Sequence, residues 1–176
     1  VPNAANEGRF ESRYWANLPE VLQENGCKTN WLHIYLKDPL HPTAGIAAQK
    51  IGQFNRTGSG EQVHVALDSF LSVGVGIKVL CDWFRLIWVG LGLESKISAV
   101  TSNGLSLWPL YAKEWHESMV GNRSLINYLY LNLFEAAINA LPTQQVGIYL
   151  YEQQPWELAL NHAWKASGHG RLIGAQ

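Results

Sequence analysis

Residues 146–151 (V-G-I-Y-L-Y) form an uncharged run of β-branched and aromatic side chains. Such a run predicts a strand covered on both faces, as parallel strands are. Glu152 ends it. Pro155 has no N–H to lose and a φ preset near the helical value, so it suits the first position of a helix with Gln154 as N-cap. Trp156, Leu160, Ala163, Trp164 and Ser167 then recur at helical spacing, opposite a polar stripe of Glu157, Asn161 and Lys165. Gly168 suits the C′ position, and residues 171–176 (R-L-I-G-A-Q) read as a further strand. Together they predict a β-α-β unit with a right-handed crossover, and hence an α/β chain with a parallel sheet flanked by helices.

Upstream, Phe10, Tyr14, Trp15, Leu18 and Leu22 have helical spacing, with a kink or fresh start at Pro19 and an end at Gly26. Residues 31–36 (W-L-H-I-Y-L) predict a strand, residues 38–42 a loop, and Thr43 the cap of a helix reaching about Phe54. Residues 55–60 read as a flexible connection and residues 65–93 as a long, apolar, mostly helical stretch. A polar turn at Ser102-Asn103-Gly104 precedes helices over residues 108–119 and 124–141, which makes the middle of the chain a helix-rich insertion.

The apolar middle calls for a membrane test. Lys78, Asp82 and Arg85 interrupt residues 70–93, so no uncharged run reaches the roughly 18 to 20 residues that a span needs. The three charges share one helical face, and Lys78 with Asp82 can pair along it. The first reading is a core helix with one wet stripe. The alternative is an interfacial helix making peripheral contact with a membrane through Trp83, Phe84 and Trp88.

Composition narrows the field. The 176 residues are 47% hydrophobic and 15% charged, enough for one α/β domain over residues 1–176 with a sizeable core. A net charge of −1 gives no electrostatic argument for nucleic acid. Cys27 and Cys81 stand far apart with no Cys/His cluster around them, so neither a disulfide scaffold nor a metal site is predicted, and a reducing, cytoplasmic location is the default. Eight tryptophans and seven tyrosines are unusual for this length; aromatics are enriched in cores, the first reading for any one of them, and where sugars, bases or partner proteins dock. A start at Val1 and a last strand running to Gln176 point to a fragment of a longer protein.

Motif searches remove several classes. Gly58-Ser59-Gly60 lacks the G-K-[ST] of a P-loop, and Gly74-Val75-Gly76 and Gly90-Leu91-Gly92 lie in helical pattern without the strand-then-helix context of a dinucleotide fingerprint. His116-Glu117 lacks the second histidine of a zinc protease, and there is no G-x-S-x-G elbow. Asn55-Arg56-Thr57 is a chance match to the glycosylation sequon.

The candidate chemistry lies at the strand-to-helix junction, where open α/β sheets place ligands. Glu152, at the carboxyl end of the strand, can act as a base or bind hydroxyls. Glu157, in the first helical turn, is a second candidate carboxylate, although the helix dipole alone would favour it there. Gln154 and Trp156 complete the junction as possible substrate contacts, Trp156 either by stacking on a sugar or by packing with Leu160 and Ala163. His33, in mid-strand, is either satisfied by the fold or part of a site, and His41, in the loop beyond, has better access to a ligand. Ser118 and Asn122 flank Gly121 in a turn that could expose backbone amides to a phosphate or sugar.

The run Tyr149-Leu150-Tyr151-Glu152-Gln153-Gln154-Pro155-Trp156-Glu157, followed by Ala159, Ala163-Trp164, Gly168 and Leu172-Ile173-Gly174-Ala175-Gln176, resembles a segment of bacterial surface-carbohydrate biosynthesis proteins. These are O-antigen or capsule-type proteins related to GT-B glycosyltransferases. The order and spacing of residues 108–141 are similar as well. The resemblance implies a Rossmann-like N-terminal, acceptor-side domain and a missing C-terminal domain that holds the donor. It implies transfer from a nucleotide-sugar, as substrate and without a metal cofactor, to a glycan or lipid-linked acceptor. Two rivals stand beside it: a non-catalytic α/β module that binds a sugar, a nucleotide or a partner, and an enzyme of nucleotide-sugar modification, which would need the dinucleotide fingerprint absent here.

Overall fold

Local signals in the sequence set most of the element boundaries. The computed structural model describes residues 10, 12, 14–37, 39, 41–57, 60–102 and 104–176. The loop positions Asp38 and Leu40, the connection at Gly58-Ser59 and the turn residue Asn103 lie outside them. The protein is α/β, and the chain divides into two compact units between Phe70 and Leu71.

In the first unit, α1 (Leu18–Glu24) starts with Pro19 in its first turn, so the proline opens a helix, and the described residues Phe10, Tyr14 and Trp15 before it are not helical. β1 (Thr29–His33) starts two residues and ends three residues earlier than the predicted strand. Thr43 caps α2 (Ala44–Thr57), its Oγ1 accepting the Ile46 N–H at 3.3 Å. The helix runs past Phe54 through three residues expected to be loop. β2 (Gln62–Ala66) follows, then a 3₁₀ turn (Leu67–Phe70). This corrects the start of the mostly helical stretch read over residues 65–93: Gln62–Ala66 has the period-two alternation of a strand, which the apolar stretch after it masks, and the helix begins at Val73. β1 and β2 are parallel, with Trp31 opposite His64 and His33 opposite Ala66. The Asn55 side chain completes β2: its Nδ2 donates to the His64 carbonyl at 2.7 Å and its Oδ1 accepts the His64 N–H at 2.9 Å. Ala47, Ile51, Phe54, Ala66 and Leu67 form the core of this unit.

In the second unit, Ser72 caps α3 (Val73–Ser98) through its Oγ and the Val75 N–H at 3.2 Å. A short antiparallel pair, β3 (Thr101–Ser102) and β4 (Leu105–Ser106), leads to α4 (Trp108–Met119) and α5 (Asn122–Ala140). α5 packs on α3, α4 and α6 (Pro155–Ala166) and supplies Leu133, Phe134, Ala137 and Ile138 to the core. β5 (Val146–Leu150) and β6 (Arg171–Ala175) pair in parallel from Val146 opposite Arg171 to Leu150 opposite Ala175. Gly147 has to lack a Cβ, which would stand 2.6 Å from the Trp164 ring. The bare backbone lets that indole of α6 lie on the strand. Gly168 takes φ +69°, the left-handed C′ position read from the sequence.

Coverage of β5 differs from expectation. Gly147 and Leu172 lie under α6, but Val146 and Ile148, together with Ile173 of β6, are exposed, so one face of the strand is covered rather than both. Among the described residues the parallel pairing stops at two strands in each unit. No helix among them is long and apolar enough to cross a membrane.

Candidate functional site

β5 delivers the chain to a bend that Glu157 organises. Glu157 is 3% exposed, and its Oε1 accepts the backbone N–H of Glu152 at 2.7 Å and of Gln154 at 2.8 Å. Its own N–H donates to the Gln154 carbonyl at 3.0 Å. One buried carboxylate thus satisfies amides at the start of α6 and in the loop before it. Between them Gln153 holds φ +60°, a left-handed conformation that costs a side-chain-bearing residue free energy and persists where surrounding bonds enforce it.

The junction therefore separates its two carboxylates. Glu157 faces inward and is committed to the backbone, while Glu152 is exposed at the end of the strand, its main chain clamped by Glu157. Trp156 is partly buried, its ring 6.1 Å from Phe134 and 6.2 Å from Tyr149, which places it in the packing of α6 on α5 and β5. Gln154 is exposed. Asn161 donates to the Glu157 carbonyl at 2.7 Å and to the Tyr149 phenol oxygen at 3.3 Å, tying strand to helix. Tyr151 is exposed immediately before Glu152. An acceptor-only carboxylate on a fixed backbone beside an exposed phenol ring can accept hydrogen bonds from hydroxyls or take a proton from one.

In the first unit, His33 pairs with His64, a residue the sequence reading could not tell from surface. His33 Nε2 and His64 Nδ1 are 2.9 Å apart and the rings stack at 5.2 Å. Phe10 and Phe54 present their edges to His64 at 4.6 and 4.5 Å, and Trp31 lies parallel to it at 6.1 Å. Burial in this apolar surround lowers His33 from 6.5 to about 4, and burial together with the charge of His33 lowers His64 to about 3. Both rings are therefore neutral at neutral pH. Among the described residues the buried His64 Nε2 has no hydrogen-bond partner, which favours the tautomer in which His64 Nδ1–H donates to His33 and Nε2 keeps a bare lone pair. The only local hint of His64 was its alternation with Val63 and Val65; the contact itself needs the register between two strands.

His41 is buried, not accessible as the loop position implied. Its Nε2 lies 3.3 Å from Lys50 Nζ, and its carbonyl accepts the Tyr35 hydroxyl at 2.8 Å. Ser118 and Asn122 are both exposed at the α4–α5 turn. That turn is closed on itself: the N–H groups of Val120 and Gly121 both donate to the His116 carbonyl, and the Gly121 carbonyl accepts Ser124 Oγ. A Cβ on Gly121 would stand 2.8 Å from backbone atoms of Glu117. The Val120 and Gly121 amides are thus used internally. Among the described residues no group of three or more His, Cys, Asp and Glu side chains could hold a metal ion. His33 and His41 belong to the first unit; Ser118, Asn122 and the four junction residues belong to the second.

Comparison with known proteins adds no family to this geometry. No family model, curated protein or solved structure matches the chain.

Proposed function

We propose that the β5–α6 junction is the acceptor-side site of a metal-independent, GT-B-type glycosyltransferase of bacterial surface-polysaccharide assembly. Its donor is a nucleotide-sugar and its acceptor a glycan or a lipid-linked glycan. The observation that carries the reading is the asymmetry of the two carboxylates: Glu157 is spent on the loop backbone and thereby fixes Glu152, exposed, at the carboxyl end of a parallel strand. Glycosyl transfer needs a group to take the acceptor hydroxyl proton as the bond to the sugar forms, and Glu152 is the candidate. Gln154 and Tyr151 stand beside it as hydroxyl-binding and ring-stacking groups, and Glu157 is a positioning residue. The Rossmann-like domain and a donor-binding second domain are part of this proposal. The parallel strand–loop–helix arrangement at the junction supports it.

The single exposed carboxylate also favours a second reading, a sugar-binding module without transfer, because one fixed acceptor suffices to hold hydroxyls. Glu152→Gln and Glu157→Gln, assayed for binding and turnover against a panel of nucleotide-sugars, distinguish them. For a transferase, Glu152→Gln lowers turnover by about 10²–10⁴ with binding and melting temperature retained. Glu157→Gln lowers stability by about 1 kcal/mol and turnover to a smaller extent. Sugar binding without turnover in the unmodified protein, weakened by Glu152→Gln, assigns the module instead.

A further inference from the structure

Among the described residues, nothing covers one face of the long helix α3. Val73, Ile77, Leu80, Phe84, Trp88 and Leu91 are all exposed, from 48% at Leu80 to 82% at Val73 and 81% at Trp88. At 3.6 residues per turn these positions fall on one stripe along most of the helix. The opposite face is engaged: Trp83 Nε1 donates to Ser124 Oγ at 3.1 Å, and Gly90 is buried against Met119. A contiguous apolar surface of this length marks an interaction site.

The charges of α3 say what covers it. Both acidic residues turn toward the bundle: Asp82 accepts Asn132 Nδ2 at 3.1 Å, and Glu94 lies 3.6 Å from His116. All three cations are exposed. Lys78 pairs with Glu135 of α5, while Arg85 and Lys96 follow it along one border of the apolar stripe. The exposed side of the helix thus combines an apolar strip, an exposed phenylalanine and tryptophan, and a border of one sign. A second copy of the helix would meet that border with like charge, and the two acidic side chains of α3, Asp82 and Glu94, are already engaged by α5 and α4. We propose that α3 is an in-plane docking helix for an anionic lipid surface, with Phe84 and Trp88 entering the headgroup–acyl boundary and Arg85 and Lys96 pairing with lipid phosphates. The helix lies on the bilayer and does not cross it. The proposal stands apart from the chemistry assigned to the β5–α6 junction.

Flotation of the full chain with vesicles tests it, comparing pure phosphatidylcholine with phosphatidylcholine containing phosphatidylglycerol, at low and high salt. The expected result is co-flotation with the phosphatidylglycerol vesicles that weakens as salt rises. Phe84→Glu with Trp88→Glu, both at exposed positions outside the core, abolishes it. Arg85→Gln with Lys96→Gln, checked for unchanged circular dichroism, lowers partitioning by roughly twentyfold. No flotation with either vesicle, or flotation indifferent to the Phe84 and Trp88 changes, overturns the proposal. So does a dimer in sedimentation equilibrium that the same pair of changes dissociates while vesicles bind nothing, which assigns the stripe to a second copy.

Discussion

β1 and β2 are joined through α2, and β5 and β6 through α6, so the chain builds the same crossover twice, yet the faces involved differ in chemistry. Under α6 a bare glycine strand receives the Trp164 indole, whose Nε1 donates to the Gly170 carbonyl at 2.8 Å. In the first unit two imidazoles occupy the corresponding position, bonded to each other and walled by Phe10, Trp31 and Phe54. The Trp164 indole itself carries no titrating group, with the His169 ring beside it at 4.8 Å. The imidazole version holds only while both rings stay neutral, so one topology carries two kinds of stability.

The largest effect that tests this contrast is Trp164→Ala. It deletes the side chain that fills the space over Gly147 and should cost about 3–5 kcal/mol, read as lost hydrogen-exchange protection in β5 and β6. An equal loss at β1 and β2 would mean that the two strand pairs unfold as one cooperative body, and would blunt the comparison.

Acidification should come next. Both folded-state values, about 4 for His33 and about 3 for His64, lie below the 6.5 of an unfolded imidazole, so the unfolded chain takes up protons first as pH falls. The contribution of the pair is complete above about 6.5 and declines as pH falls toward 4 and then 3, by a few kcal/mol in all. Denaturation curves across this range should show a slope that His33→Phe with His64→Phe flattens. An unchanged slope would remove the imidazoles from the account. The smallest effect is Asn55→Ala, which strips both side-chain bonds from the His64 main chain and should cost about 2 kcal/mol, with exchange at the His64 amide rising most.

The same contrast governs how much could be read from the sequence. The β5–α6–β6 unit was legible because its punctuation is chemical and local: Pro155 can only open a helix there, Gly168 supplies the left-handed C′ residue, and the uncharged run before Glu152 has strand composition. α4 was legible for a similar reason, with Trp108-Pro109 at its start. β2 was not, because Gln62–Ala66 is a short alternating segment that passes through a 3₁₀ turn into a strongly apolar helix without glycine or proline between them. β1 shifted because its limits are set by pairing with β2, a partner not recognised. His64 stayed hidden with it. At the candidate site, the position of Glu152 followed from the strand end. The inward commitment of Glu157 depends on how a loop with Gln153 at positive φ folds back over the helix start, which no local pattern specifies.

Cys27 and Cys81 are both exposed free thiols, and they fall one on each side of the division between the units. The native chain is therefore already a two-site ruler. A nitroxide on each thiol turns the separation of the units into a distance distribution, narrow for a fixed pair and broad for a hinged one. Cys81 also neighbours Leu80 and Asp82 on α3, so the same label, relaxed by oxygen or by a water-soluble nickel chelate, reports how deeply that helix rests in a bilayer.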